Sequence, residues 1–183
     1  MDDQGIVALY FQRDEQALAQ TAEKYGRYCY AIAYNILSNN EDAEERVNDT
    51  YTDAWNSIPP HRPSVLCTFL GKITRRISVD RWRKSHADKR GGGQLPLVLE
   101  ELADCVGESD VEQSFDRQQL AQAVNAFVCA LPATEQKVFL CRYWYMDSVG
   151  AICSRFGFSE SKVKSMLHRV RGKLRDHLNK EGF

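Results

Sequence analysis

Residues 148–175 carry the pattern that most restricts what this chain can fold into. In Ser148 to Phe156, apolar residues recur at helical spacing. Gly157 follows, and glycine readily adopts the positive φ of a tight turn that ends a helix. A long amphipathic stretch comes next, from Phe158 to Arg175. A short helix, a glycine turn and a long helix in this order predict a helix-turn-helix.

The long stretch has one apolar side and one cationic side. Ser159 is a suitable N-cap, and Glu160 suits the positive end of the helix dipole. The residues on the apolar side recur at steps of three or four: Val163, Leu167, Val170, Leu174 and Leu178. By its charge alone the helix fits a solvated surface helix on a core. The preceding helix and glycine turn favour a helix that enters the DNA major groove.

Charge alternates along the chain, although the formal net charge is only −1. Residues 1–60 carry mostly acidic side chains, and residues 62–90 carry mostly basic ones. Residues 94–116 contain no Lys or Arg, and the C-terminal segment is basic again. The alternation predicts two cationic DNA surfaces, one acidic surface for a protein partner and an acidic linker.

Composition restricts the class of protein. The 183 residues, 43% of them hydrophobic, are enough for one domain or two small ones. No long apolar run is present and the start does not resemble a secretory signal, so we expect a cytoplasmic protein that is not inserted in a membrane. The six cysteines are scattered without zinc-site spacing, and no Walker loop or nucleophile constellation occurs. We therefore expect no metal, no cofactor and no catalytic site.

Periodicity predicts an all-α fold with two small helical domains. Residues 15–37, 41–58 and 65–84 have helical spacing, and the second helical module begins near residue 111. The glycines at 91–93 and the polar residues after them predict a flexible linker. Apolar residues within the linker are able to dock on a domain: Leu95, Leu97, Val98, Leu99 and Leu102. We place the first domain at residues 1–84, the linker at 85–117 and the helix-turn-helix domain at 118–183.

Two helices of the first domain carry opposite charge. The helix at 41–58 has an apolar stripe and, on another side, an acidic face that includes Asp42, Glu45, Asn48, Asp49 and Asp53. Read alone, this face fits ordinary solvation as well as a protein partner. The helix at 65–84 presents cations near Phe69 and Trp82, and cations beside aromatic rings are typical of single-stranded DNA binding. A core position for Phe69 is favoured over base stacking.

Three segments together resemble one protein family. They are EDAEERVNDTYTDAWNSI at 41–58, FLGKITRRISVDRWRK at 69–84, and the segment from LPATEQKVF to GKLR at 131–175. In content, order and separation they resemble bacterial sigma factors of the extracytoplasmic-function group. The resemblance implies that 1–84 is sigma region 2, which binds core RNA polymerase and recognises and melts the −10 element. It implies that 118–183 is region 4, which reads the −35 element.

The resemblance also assigns residues and partners. The surface for the clamp helices of the largest polymerase subunit would be Asp42, Glu45, Asn48 and Asp49. The −10 surface would be Lys72, Arg75, Arg76, Asp80 and Arg83. The −35 surface would be Arg142, Lys162, Lys164, Ser165, His168 and Arg169. Other implied partners are the flap of the second-largest subunit, promoter DNA and an anti-sigma factor, which in this family is commonly linked to the membrane.

Two positions depart from the family pattern. The family commonly has Asn where this chain has Arg76, and Trp where it has Phe69. Asn both donates and accepts hydrogen bonds at a base edge, whereas Arg only donates, so the base preference at this position is open. Phe69 keeps the ring that stacks on a base and lacks the indole donor. In the family, the loop matching 57–64 holds a flipped non-template base.

Two other functions fit part of the sequence. A one-component helix-turn-helix regulator, normally a symmetric dimer, would use the C-terminal motif but has no need of the acidic and arginine-rich helices. An interaction protein that titrates an anti-sigma factor without transcribing would tolerate the departure at Arg76. The sigma factor interpretation accounts for all three segments.

Overall fold

The computed structural model describes residues 1–85, 94–103, 105 and 114–182. Within these ranges the regular elements are α-helices and no strand occurs, which confirms the all-α prediction. The chain divides into two compact units, Met1–Gly93 and Gln94–Phe183. The helices are α1 (Asp3–Phe11), α2 (Gln16–Leu37), α3 (Asn40–Ser57), α4 (Leu66–Ser85), α5 (Gln94–Ala103), α6 (Ser114–Ala130), α7 (Ala133–Tyr143), α8 (Val149–Phe156) and α9 (Glu160–Glu181).

The first unit is built around α2, which packs on α1, α3 and α4. Asn39 ends the turn after α2 and caps α3, since its side chain accepts a 2.9 Å hydrogen bond from the amide of Asp42. Apolar side chains from all four helices, and Ile58 just after α3, form the core: Ile6, Val7, Tyr10, Ala17, Cys29, Val47, Ala54, Ile58, Leu66, Leu70 and Ile73. The predicted apolar stripe of α3 is therefore confirmed. Phe69 packs against this core as a partly buried side chain, in agreement with the core position favoured for it.

Helix α1 is an element that the sequence pattern did not predict. Asp2 caps it by accepting a 2.8 Å hydrogen bond from the amide of Gly5. The carboxylate of Asp3 accepts hydrogen bonds from Lys24 at 2.6 Å and from Tyr25 at 2.5 Å. These bonds join α1 to α2, while the apolar side of α1 completes the core.

Helices α3 and α4 share a buried polar contact. The hydroxyl oxygens of Thr50 and Thr74 lie 3.0 Å apart, and both residues are fully buried. Ser78, one turn further along α4, is also fully buried. These small polar residues interrupt the apolar stripes of the two helices and fix one side of α3 against α4.

The second unit has α9 at its centre, in contact with α6, α7 and α8. Gly157 adopts φ 65° between α8 and α9, and Ser159 caps α9 by accepting from the amide of Lys162 at 3.3 Å. The predicted apolar face of α9 is buried, together with Met166: Val163, Met166, Leu167, Val170, Leu174 and Leu178. The helix-turn-helix prediction is therefore confirmed in both its helices and its turn.

Helix α5 lies inside the segment predicted as a flexible linker, residues 85–117. Leu95 and Val98 are buried within the second unit, whereas Leu97 and Leu99 are about half exposed, at 49% and 52%. The prediction that apolar linker residues are able to dock on a domain is thus confirmed for Leu95 and Val98. The predicted linker also overlaps the last residue of α4 and the first four of α6, and its residues 86–93, 104 and 106–113 lie outside the described residues. Among the helices that the structure describes, none is long and apolar enough to cross a membrane.

Candidate polymerase and nucleic-acid interfaces

The exposed side of α9 carries nearly the whole predicted −35 surface. Five of its six predicted residues are exposed, while the opposite side of the helix is buried. They are Lys162, Lys164, Ser165, His168 and Arg169. The helix thus presents cations, a hydroxyl and an imidazole on one continuous face, the mixture of groups that contacts phosphates and base edges.

Local contacts orient the two lysines at the start of α9. The ammonium of Lys162 lies 3.7 Å from the centroid of the Phe158 ring, which is a cation–π contact. Lys164 pairs with Glu160 at 2.5 Å, and its hydrogen bond to this carboxylate raises the pKa of the lysine. Both lysines remain accessible to solvent.

Arg142, the sixth predicted residue, lies elsewhere. Its side chain is only 3% exposed. The guanidinium donates to Glu101 through Nε at 3.1 Å and through Nη2 at 2.5 Å, to the side chain of Gln94 at 2.8 Å and to the carbonyl of Asp147 at 3.0 Å. In this arrangement Arg142 anchors α5 to α7 and does not lie on the exposed DNA-reading surface.

The carboxylate of Glu101 is the centre of a charged network in the second unit. Besides Arg142, it receives the Tyr143 hydroxyl at 2.8 Å and Arg171 at 3.5 Å, and Arg171 also donates to the Tyr143 oxygen at 2.9 Å. Burial acts to raise the pKa of Glu101, but the hydrogen bonds from Arg142 and Tyr143 and the charge of the arginines outweigh it and hold that pKa below its usual value. Sequence reasoning missed this network because α5 lies far from α7 and α9 along the chain.

On α3 the predicted polymerase-binding residues share one side, where arginines of the same unit pair with most of them. Asp42 accepts from Arg81 of α4 at 3.0 and 2.8 Å. Arg46 contacts Asp49 at 3.0 Å and also Glu45. Glu45 and Asn48 are exposed. The face is therefore a mixed acidic and polar surface whose negative charge is partly compensated by Arg46 and Arg81.

On α4 four of the five predicted −10 residues are exposed: Lys72, Arg76, Asp80 and Arg83. Arg75 is partly buried, and desolvation lowers its pKa. Arg76 donates to Asp53 of α3 at 2.7 Å, so its guanidinium is directed along the α3–α4 edge. Its side chain remains 63% exposed.

A small open cavity lies beside this surface. Its volume is about 220 Å³, and its lining residues come from the end of α3, the following loop and α4: Ser57, His61, Phe69, Lys72, Ile73 and Arg76. One aromatic wall and two cations are the groups that stack on a base and neutralise its phosphate. His61 belongs to the predicted loop 57–64 but was not singled out from the sequence.

Two helical units, one with a helix-turn-helix and one with a cationic face beside a mixed acidic face, define a modular helical DNA-binding protein. Family comparison identifies the group within this class. The ECF sigma factor family matches residues 61–180, and the family for sigma-70 region 2 matches residues 21–87. The first match covers more than half of the chain. The chain therefore belongs to the ECF sigma factor family, whose members act with RNA polymerase in transcription initiation.

Individual relatives agree with this assignment. The chain is 27% identical over 153 residues to the ECF RNA polymerase sigma factor SigE of Mycolicibacterium smegmatis. It is 24% identical over 172 residues to the ECF RNA polymerase sigma factor SigW of Bacillus subtilis. The first alignment covers 82% of this chain and 57% of the relative, and the second covers 90% of each. The resemblance inferred from the three sequence segments is confirmed.

Proposed function

We propose that this chain binds core RNA polymerase through α3, engages the opened −10 strand through α4 and reads the −35 duplex through α9. The observation that supports the proposal most strongly is the exposed face of α9 in a chain of this family, because five predicted DNA contacts lie together there. The surfaces on α3 and α4 give the same chain two further functions.

The α9 face has groups for both phosphates and bases. Lys162 lies in the first turn and Lys164 directly after it, near the positive dipole end of the helix. Ser165, His168 and Arg169 continue the face by about one and two turns. An arginine or lysine that reaches guanine O6 and N7 discriminates bases by ~1–3 kcal/mol. The face therefore supplies orientation and sequence preference together.

For polymerase binding, Glu45 and Asn48 are the most accessible residues of the α3 face. Asp42 and Asp49 also belong to this surface, and their ion pairs with Arg81 and Arg46 would rearrange when a cationic partner approaches. Asp42 is 25% and Asp49 47% exposed within these pairs, so the exchange should cost less at Asp49 than at Asp42.

For the opened strand, α4 offers exposed Lys72, Arg76, Asp80 and Arg83 beside the small cavity lined by Phe69 and His61. The cations would follow phosphates, and the ring would stack on an unpaired base. Arg76 only donates hydrogen bonds, so it favours base edges rich in acceptors. Arg75 is partly buried, so it would be less accessible to the strand than the other four residues.

Two modules on one polymerase need not bind DNA tightly by themselves. Once core polymerase holds the chain, the effective concentration of each DNA contact rises. In this proposal the chain is a specificity subunit in the cytoplasm without a catalytic site of its own. Its partners are the clamp helices of the largest polymerase subunit, the flap of the second-largest subunit and promoter DNA, and an anti-sigma factor is the expected regulator.

Single substitutions separate the two binding functions. Lys164→Ala should reduce promoter-specific transcription at least about tenfold while leaving core binding unchanged, because a phosphate or base contact is lost on α9 alone. Asp49→Ala should weaken core binding, measured by fluorescence titration with purified core enzyme. Lys180→Ala, at the far end of α9 and also exposed, is the matched control and should affect neither measurement. Equal loss of both functions in Lys164→Ala would refute this division.

A further inference from the structure

The Glu101 carboxylate occupies a site that is lined by hydrogen-bond donors. Arg142 Nε and Nη2, the Tyr143 hydroxyl and Arg171 Nη1 converge on its two oxygens from α7 and α9. We call these three residues the Arg142 anion site. A fork of guanidinium donors with a hydroxyl matches any anion that offers two or more oxygens, which includes carboxylate and phosphate.

The carboxylate that fills this site belongs to α5, which contacts the rest of the second unit through both apolar and polar side chains. Leu95 and Val98 are its buried apolar contacts, and Gln94 and Glu101 are its polar ones. Without α5, the hydrogen bonds shown for Arg142 reduce to the one with the carbonyl of Asp147. A guanidinium that loses its anion in a partly desolvated site is unfavourable, so the site then favours another anion.

We propose that α5 competes with DNA: Glu101 fills the Arg142 anion site in the free chain, and a DNA backbone phosphate takes its place when α5 undocks. The inference rests on the proposed function, since it assigns the displacing phosphate to DNA bound by the second unit. It reconciles the buried position of Arg142 with the phosphate contact that the family resemblance implies. The apparent DNA affinity is then the intrinsic affinity multiplied by the fraction of molecules in which α5 is undocked.

Backbone contacts do not depend on sequence, so a fluorescently labelled mixed-sequence duplex of about 25 base pairs is a sufficient probe. Binding to the full chain is measured by anisotropy over a range of salt concentrations. Glu101→Gln keeps the shape of the side chain and removes its charge. It should tighten binding at least about fivefold, because α5 undocks more readily. The slope of log K against log salt should stay about the same, because the wild-type complex holds the same phosphate once α5 has undocked.

Removing any negative charge from the protein favours DNA binding by long-range electrostatics. Two controls separate this effect from the undocking of α5. Glu100→Gln makes the same charge change at the neighbouring exposed position and should give less than about a twofold gain in affinity. Leu95→Asp adds a negative charge but removes a buried apolar anchor of α5. It should tighten binding, whereas a purely long-range effect would weaken it. Glu101→Gln combined with Arg142→Ala should lose the gain in affinity and reduce the slope by about 1, because the phosphate contact is removed.

Equal gains in Glu100→Gln and Glu101→Gln, or weaker binding in Leu95→Asp, would overturn the competition. A gain that persists without Arg142 would exclude that residue as the phosphate ligand and would also overturn it. Transcription with core polymerase is measured on the same proteins. If the wild-type chain supports transcription but these binding results are not obtained, only the competition is refuted. If the wild-type chain does not support transcription, the proposed function is refuted.

Discussion

The buried hydroxyl pair between α3 and α4 gives a prediction whose size follows from the structure. Thr50 Oγ1 contacts the carbonyl of Arg46 at 2.8 Å, and Thr74 Oγ1 contacts the carbonyl of Leu70 at 2.9 Å. The two hydroxyls are 3.0 Å from each other. Each hydroxyl has one proton, so two protons serve three contacts. The bond between the threonines forms when one hydroxyl donates across the interface instead of to its own helix.

Replacing one threonine with valine removes the bond across the interface and leaves the other hydroxyl its own helix carbonyl. Thr50→Val or Thr74→Val should each cost about 1 kcal/mol of unfolding free energy, and Thr74→Val also removes a weak contact with the Cys29 thiol. The double variant replaces both partners with apolar groups of similar shape, so it should cost no more than either single variant. The coupling energy should therefore be about 1 kcal/mol in magnitude.

Native-state hydrogen exchange of α3 and α4 amides measures these free energies for the first unit separately from the second. Amides of α7 and α9 provide the internal reference and should be unaffected. A double variant that costs the sum of the single variants, about 2 kcal/mol, would show that the hydroxyls do not interact and would refute the reasoning.

Three further predictions concern single positions. Gly71→Ala should destabilise the first unit by about 1–2 kcal/mol, because the added methyl group clashes with the Tyr28 hydroxyl. Gly172→Ala has open space around the added methyl group and should stabilise the second unit by about 0.5–1 kcal/mol. Urea unfolding measures both changes. Arg76→Asn should change unfolding free energy by less than about 0.5 kcal/mol, since its ion pair is exposed, but should alter the base preferred in the opened strand in a binding selection. Hydrogen bonds from α2 hold the pKa of Asp3 below its ordinary 3.8. The protection of α1 amides against hydrogen exchange should therefore be complete above pH 3.8 and fall as the pH drops through the lowered pKa. Asp3→Asn should lack this pH dependence.

The helix-turn-helix was predictable because its signals are local. Gly157 and Ser159 adopt the turn and cap conformations that their residue types favour, and apolar residues at steps of three and four mark the buried face of α9. The amphipathic α2 and α3 were predictable for the same reason. Helix α1 was missed because it has only nine residues and no clear amphipathic pattern, and its position depends on contacts of Asp3 with α2.

The candidate site residues likewise divide into those predictable from local sequence and those that depend on tertiary contacts. Exposure of Lys162 and His168 follows from the helical period alone. The burial of Arg142 does not, because its partner Glu101 is 41 residues away in sequence, in a segment whose acidic composition predicts a linker. The pairing of Arg76 with Asp53 likewise depends on how α3 and α4 pack. Local pattern therefore predicts which face of a helix is exposed, whereas ion pairs between helices require the tertiary structure.

Run-off transcription tests the central claim most directly. Purified core polymerase, the full chain and a library of randomised −35 and −10 elements are combined, and the transcripts are sequenced. The account predicts transcripts from a limited set of promoters that depend on the chain and are lost with Lys164→Ala, together with weak duplex binding by the chain alone. Strong duplex binding without polymerase and no chain-dependent transcripts would contradict it.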